Sequence, residues 1–486
     1  MTKQRSTLTL ALPPKQPGIP AYLWLCDVLR SGILAGHLPP GTRLPATRDL
    51  ARQYGLSRGT VVSAFAQLHA EGYTDPRTGS GTYVCSTIPE QLLKAGRSRA
   101  RQEVEPRRRI TSKFLTQIHP MRYYEQPSSR AFRANQPALD LFPTTLWAQV
   151  AGRRLRRASA FDLLSCGAMG YRPLQEAVAD YLNTSRGVKC GPEQVAIVAG
   201  LQEAVYLAGR MFVNPGDSVC MEDPGYGGAA RVFQALGAKI KPVPVDEQGM
   251  TVPNARLRNV RLVYVTPAHQ YPLGITMSLA RRMELLKWTR NNDTVILEDD
   301  YDSEYRYSGR PMPALQGLDV QGVVLFAGSF SKVMFPSLRL GYLVVPPDLV
   351  DGVAAIKGLT SRHAPVLEQA ILADFISDGH FARHIRRMRE VYAERLNALL
   401  VGAEKYVGEL LEIPRVEAGL QTVGWLRPGV DAKSVARAAA KRDVEVIPLS
   451  EFCRGGKLRQ GLQLGFAAVG PREIDRGLNE LRKVLA

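Results

Sequence analysis

The stretch Phe326-Ala-Gly-Ser-Phe-Ser-Lys-Val-Met-Phe-Pro-Ser-Leu-Arg-Leu-Gly-Tyr342 holds a lysine in surroundings suited to covalent chemistry. An apolar run, residues 323–326, reads as a buried strand and breaks at Gly328 into a hydroxyl-rich turn. Lys332 follows in that turn, between Ser329 and Arg339. A lysine among apolar groups and near a second cation loses part of its preference for the charged form. It can then condense with an aldehyde to a Schiff base, which makes Lys332 the candidate catalytic residue. Ser329 and Arg339 are residue types that hold a phosphate, arginine by paired hydrogen bonds. The competing reading of this window alone is a surface lysine after a strand.

Two further stretches bear on the choice. Residues 295–304, Val-Ile-Leu-Glu-Asp-Asp-Tyr-Asp-Ser-Glu, are an apolar strand ending in acids and a tyrosine. A carboxylate there is suited to pair with a protonated pyridine nitrogen, which makes such a ring an electron sink. Tyr301 is suited to hydrogen-bond a ring hydroxyl. Residues two apart on a strand share a face, so Asp299 rather than Asp300 goes with Tyr301. The alternative is a solvated acidic loop. Residues 197–204, Ile-Val-Ala-Gly-Leu-Gln-Glu-Ala, read as a strand, a turn and a helix start. Backbone N–H groups at Gly200, Leu201 and Gln202 would there bind a phosphate.

The order of strand-Gly-helix, then Asp/Tyr, then Lys/Arg resembles fold-type I pyridoxal 5'-phosphate (PLP) enzymes, the aspartate aminotransferase-like family. The resemblance runs from about residue 132 to the C-terminus and implies PLP as cofactor. Strand-like runs at 195–198, 218–221, 262–265, 295–297 and 322–326 alternate with helical patterns. Such alternation predicts an α/β sheet with helices on both faces. Ligands sit beyond the carboxyl ends of such strands, where all three motifs fall. A smaller α+β lobe is expected over about 375–486, with strands at 412–416, 424–426 and 462–466.

The first quarter of the chain carries a different signal. Of the net charge of +18, +12 lies in residues 1–133, which hold 20 Lys/Arg against 8 Asp/Glu. That asymmetry points to a polyanion partner. A helical pattern over 21–35 is stopped by Pro39, Pro40 and Gly41. Pro45 then opens a short helix, Gly55 turns it, and Ser57 caps a second helix running to about Ala70. Short helix, tight turn and capped helix form the helix-turn-helix pattern. The exposed first turn of the second helix carries Arg58, Gly59 and Thr60, where recognition helices meet base edges. Residues 73–84 read as a hairpin with a Gly-Ser-Gly tip, flanked by Arg77.

This module resembles the winged helix-turn-helix of the GntR family through Arg43-Leu-Pro45, Arg48-Asp-Leu-Ala51, Ser57-Arg-Gly-Thr60 and Gly79-Ser-Gly-Thr82. The resemblance spans residues 18–84. It implies double-stranded DNA contacts by Arg43, Arg48, Ser57, Arg58, Thr60, Gly79 and Gly81. Residues 85–130, with basic runs at 97–101 and 106–109, read as an interdomain linker.

The body has further marks of the MocR/GabR-type subfamily, a GntR reader fused to an aminotransferase-like PLP domain over 131–486. Its opening, Phe132-Arg-Ala-Asn-Gln-Pro-Ala-Leu-Asp-Leu-Phe-Pro143, resembles theirs, with Asn135 where many members show Gly. Thr266-Pro-Ala-His-Gln-Tyr-Pro-Leu-Gly274 matches their Thr-Pro-x-His-Gln-x-Pro-x-Gly signature. By this resemblance Tyr226 stacks on the pyridine ring, and Tyr271 stands where aminotransferases carry an Asn bonding the ring hydroxyl. His269 holds the loop, and Tyr171 approaches the cofactor of a partner subunit. Aminotransferases hold the substrate α-carboxylate with an Arg in a segment like Phe-Arg-Leu-Cys-Phe. Here residues 462–466 read Leu-Gln-Leu-Gly-Phe, with Gln463 at the Arg position. A neutral amide cannot make that charge-assisted pair, unless Arg454 or Arg459 substitutes.

The expected protein is a homodimeric, PLP-dependent transcriptional regulator rather than an enzyme, with room left for residual aminotransferase activity. It would bind an operator with paired half-sites and respond to a small amine, amino acid or PLP itself. The family's usual targets are vitamin B6 and amine or amino acid metabolism. The alternative is an active aminotransferase with an appended winged helix. Six cysteines without metal or redox spacing suggest free thiols in a reducing cytoplasm, nucleoid-associated, with no metal site. No run reaches the length of a membrane span.

Overall fold

The computed structural model describes residues 13–14, 18–87, 130–160, 164–253, 257, 259–308, 312–455 and 458–486. They fall into two units, Met1–Thr111 and Ser112–Ala486. Most of the expected linker, residues 88–129, lies outside the described residues.

In the first unit α1 (Ala21–Leu34), α2 (Thr47–Gln53) and α3 (Arg58–Ala70) are followed by an antiparallel hairpin of β1 (Thr74–Arg77) and β2 (Gly81–Val84). Leu25, Leu29, Leu50, Val61, Phe65, Leu68 and Val84 close one apolar core, which sets the helix faces. The Ser57 hydroxyl accepts from the Thr60 N–H at 3.0 Å and caps α3. The expectation for Pro45 needs correction. Helix α2 starts at Thr47 with Ala46 as its cap, and Pro45 is buried just ahead of it. Residues 42–44 instead lie along the wing, with Leu44 N–H donating to the Thr82 carbonyl and Val84 N–H to that of Thr42.

The second unit is built on an eight-stranded sheet of order β3-β10-β9-β8-β7-β4-β5-β6. Its strands are β3 (Val195–Val198), β4 (Ser218–Asp223), β5 (Lys239–Asp246), β6 (Gly249–Met250), β7 (Val260–Val265), β8 (Val295–Asp300), β9 (Val324–Ser329) and β10 (Gly341–Val344). The central strands β5, β4, β7, β8 and β9 are parallel, whereas β10 runs antiparallel to both neighbours. Two expected strands extend further than their apolar runs. Strand β8 continues through the acids to Asp300, because these acids are buried rather than solvated. Strand β9 passes Gly328 and ends at Ser329, held by the pairs Tyr342↔Gly328 and Gly341↔Ser329. Lys332 therefore sits on a short helix, Phe330–Val333, and not in an open turn.

The smaller lobe carries a four-stranded antiparallel sheet of order β11-β12-β14-β13. These are β11 (Leu411–Glu412), β12 (Gln421–Leu426), β13 (Ile447–Pro448) and β14 (Gly461–Gly465). The strand expected over 412–416 is thus only two residues, since Pro414 interrupts it. The helices His380–Tyr406 and Pro471–Leu485 pack on each other beside this sheet, through Leu399, Leu478 and Leu481 among others.

Candidate functional site

The ends of β3, β4, β7, β8 and β9 and the face of the small sheet bring most of the expected body residues together. Lys332 is half-buried and its Nζ donates to the Asn135 carbonyl at 2.7 Å. Desolvation of the ammonium lowers its pKa to about 8, against the opposing pull of Asp302 and Asp299. Its free amine is therefore accessible near neutral pH, the condition for attack on an aldehyde.

Asp299 is buried at the end of β8 and accepts a short hydrogen bond from the Tyr264 hydroxyl through Oδ2. Its Oδ1 is buried with no partner among the described residues. Burial pushes its pKa up to about 8, with Asp300 and Glu222 adding to the effect and Tyr264 opposing it. Asp300 faces elsewhere, as alternation requires, and holds the buried Arg186 through Oδ2 at 2.6 Å. Glu222, on β4, is likewise raised to about 7 by burial although Thr266 donates to both of its oxygens.

Gly200 caps the helix Leu201–Phe212 with φ +98, a conformation side chains avoid. A Cβ there would come within 3.6 Å of the Arg339 guanidinium, so Arg339 and the helix N-terminus meet at one point. Ser329 caps the Lys332 helix by accepting from the Ser331 N–H at 3.2 Å. Gln202 donates to the Tyr226 hydroxyl at 2.9 Å, which draws that ring to the same helix start. Tyr226 and Tyr301 each meet Tyr271 edge-on, at centroid separations of 5.7 and 5.8 Å. The Tyr301 hydroxyl lies 3.1 Å from His269 Nδ1, which also sits 2.9 Å from Asp302. Tyr171 precedes the helix Arg172–Ser185 and is anchored by its N–H to Gln369 at 2.8 Å.

Sequence reasoning did not single out Tyr264, Gln421 or the Glu203–Lys357 pair. Lys357 is fully buried and its Nζ lies 3.2 Å from Glu203 Oε1, while Glu203 Oε2 accepts from the Ala199 N–H. A carboxylate in a first helical turn was the available signal. Gln463 is fully buried in β14. Arg459 pairs with Glu412 at 2.8 Å on the lobe's surface, and Arg454 donates to the Gly225 carbonyl at 3.4 Å.

In the reader, Arg43, Arg48, Ser57, Arg58, Gly79 and Gly81 are exposed and Thr60 is half-buried. Arg43 lies on the wing opposite Tyr83, and a Cβ at Gly81 (φ +117) would stand 2.8 Å from its Nε.

Both units are similar to known proteins. Residues 133–481 match the family model "Aminotransferase class I and II", and residues 22–84 match "Bacterial regulatory proteins, gntR family". The chain is 40% identical over 465 residues to the "Probable rhizopine catabolism regulatory protein MocR" of Rhizobium meliloti, covering 96% of this chain and 93% of that one. It is 32% identical to the "HTH-type pyridoxine biosynthesis transcriptional regulator PdxR" of Corynebacterium glutamicum, covering 95% of each. The body is similar in structure to Pyrococcus horikoshii kynurenine aminotransferase, with a TM-score of 0.71 and 26% identity over 77% of this chain and 96% of that chain.

The cofactor of this domain class is PLP, and the residues present fit it. The orphaned Asp299 Oδ1 offers an acceptor for a protonated ring nitrogen. The helix N-terminus at Gly200 and the Arg339 guanidinium approach one another, which sets two kinds of donor suited to a phosphate side by side. No described helix is long and apolar enough to cross a membrane. With its reader, its sheet order and its lysine in place, the chain belongs to the MocR/GabR-type GntR transcriptional regulators, in which a winged helix-turn-helix is joined to a fold-type I aminotransferase-like PLP domain.

Proposed function

We propose that the PLP-bearing body senses a small amine, an amino acid or PLP itself and so sets the affinity of the reader for operator DNA. The observation that carries this reading is Gln463, fully buried where aminotransferases place their carboxylate-binding arginine. Bound PLP supplies an aldehyde and an electron-withdrawing ring. Lys332 would provide the amine that meets the aldehyde. Asp299 would accept from the ring nitrogen, Tyr226 would cover the ring, and Tyr271 and Tyr301 would flank its hydroxyl. Gly200, Leu201, Gln202, Ser329 and Arg339 would hold the phosphate. In a homodimer two readers would span paired half-sites, with Arg58 and Thr60 at base edges and Arg43, Arg48, Gly79 and Gly81 on phosphates. Ser57 would act mainly through the cap. Effector binding that favours one arrangement of the dimer would shift DNA affinity. The names of the relatives, regulators of rhizopine catabolism and of pyridoxine biosynthesis, support amine or vitamin B6 metabolism as targets, and the DNA-binding reader supports a cytoplasmic location.

The test is a gel-shift titration on the chain's own upstream intergenic DNA at fixed salt, with and without PLP. A specific shift that responds to PLP in the wild type but not in Lys332→Ala supports the reading. A shift indifferent to PLP and to amines refutes the sensing role. A second reading, an active aminotransferase, is favoured by the joint presence of Lys332, Asp299 and Arg339. Lysine-dependent exchange between an amino acid and a keto acid would establish it.

A further inference from the structure

A chain of hydrogen bonds runs from Lys332 to the small sheet. Lys332 Nζ donates to the Asn135 carbonyl, and the Asn135 N–H donates to Gln421 Oε1 at 3.1 Å. Asn135 Nδ2 donates to the Tyr271 hydroxyl at 2.9 Å, which donates in turn to Gln463 Oε1 at 3.5 Å. The backbone donor fixes the Gln421 amide. A backbone N–H only donates, so Gln421 must turn its oxygen to Asn135. Gln463 turns its oxygen to the Tyr271 hydroxyl, which donates to it. Each glutamine thus has its acceptor used and its donor left over.

Both Nε2 atoms are buried with no partner among the described residues. Gln421 is 1% exposed and Gln463 0%. They share one face of the sheet: Gln421 is opposite Gly465, and Gln463 is opposite Val423. Val423 packs against Tyr271 and Tyr301, so this face looks onto the site. A buried donor without an acceptor costs about 1–3 kcal/mol, and two together make a surface ready for oxygen.

We propose that Gln421 and Gln463 form a subsite for the uncharged oxygens, hydroxyl or carbonyl, of an amine effector. The proposal rests on the sensing role given above and names its ligand class. Neutral amides recover little of the cost of burying a carboxylate, which needs a cation. Lys332 is the one cation in the hydrogen-bond chain, and Asp299 and Asp302 lie within its electrostatic reach. Those two acids would oppose a further anion. An amino alcohol meets the two donors without that penalty.

The test uses the full-length, PLP-loaded protein, titrated with serinol and with L-serine, which differ by one hydroxymethyl for one carboxylate. The readout is the change in the visible absorption of the bound cofactor. Serinol should bind at least about fivefold more tightly, the worth of one neutral hydrogen bond. Gln463→Met and Gln421→Met should each weaken serinol by about fivefold while serine affinity holds. Tighter serine binding in the wild type overturns the proposal, as does serinol affinity unchanged in both variants. Serine preferred by the wild type but lost in Arg454→Gln would put a carboxylate on Arg454 and also overturn it. A cofactor band that responds to neither amine refutes the subsite alone. No band in the wild type refutes the subsite and the PLP-based sensing role together.

Discussion

Removing the amine of Lys332 should make the cofactor-free protein more stable, although it abolishes the proposed chemistry. The folded state lowers this lysine from 10.5 to about 8. Below pH 8 the ammonium is charged in both states, and the folded state bears its full burial penalty. At 1.36 kcal/mol per pKa unit the penalty at pH 7 is about 3 kcal/mol. Lys332→Met lifts it but leaves the Asn135 carbonyl without its donor, an offset of about 1 kcal/mol. The net gain should be about 2 kcal/mol at pH 7. The unfolded lysine binds the extra proton between pH 8 and 10.5, so wild-type stability rises with pH across that window relative to the variant. By pH 10 the remaining penalty is about 1 kcal/mol and the two proteins should be equal within error. Urea denaturation followed by tryptophan fluorescence suits the measurement, because Trp147, Trp288 and Trp425 all lie in the larger unit. Asp299 titrates in both proteins, so most of its own slope cancels in the difference. A variant no more stable than wild type at pH 7, or a gain independent of pH, refutes the argument from desolvation.

Asp299 gives a slope of the opposite sign. Its folded pKa is raised from 3.8 to about 8, so stability should fall as pH rises through that window. Asp299→Asn should flatten the slope in denaturation at pH 5 and pH 8, and should weaken PLP by about 1.5–3 kcal/mol in a binding titration. Arg186→Met strands the buried Asp300 carboxylate and should cost about 3–5 kcal/mol by urea denaturation, with much of it regained when Asp300→Leu is added. Gly81→Ala forces a side chain into φ +117 and onto Arg43, so gel-shift affinity should drop while α1–α3 keep their helical circular dichroism. Arg58→Ala should weaken DNA by about 1–3 kcal/mol if it reads a base, and an unchanged gel shift would remove it from the reader surface.

The reader was legible because its signals are local: a cap, a turn glycine and a hairpin tip each act within a few residues. The α/β class and the carboxyl-end location of the motifs followed from alternation and the general behaviour of such sheets, whereas the strand order, with antiparallel β10 between β3 and β9, did not. Alternation also separated Asp299 from Asp300, and the structure gives them different partners, Tyr264 and Arg186. Burial of the acid run was not legible, since composition alone reads such a run as solvated. The depth of strand β9 was missed because Gly328 looks like a breaker until Tyr342 on β10 pairs with it. The contacts of Asn135 were hidden for a different reason. Its partners Gln421, Tyr271 and Lys332 are between 136 and 286 residues away, beyond the reach of any spacing rule. Its positive φ of 63° suits an Asn, which tolerates that backbone as Gly does.

The bond from Tyr271 to Gln463 constrains how this scaffold can change its trade. An arginine at 463 would add charge and remove an acceptor together, since guanidinium only donates. Tyr271 would lose the Gln463 oxygen as an acceptor while Asn135 still donates to it. On the proposed reading, a change from sensor to amino acid transferase would couple position 271 to position 463. Such coupling would favour the regulator's role even where the lysine, the proposed ring partner and the proposed phosphate cradle persist.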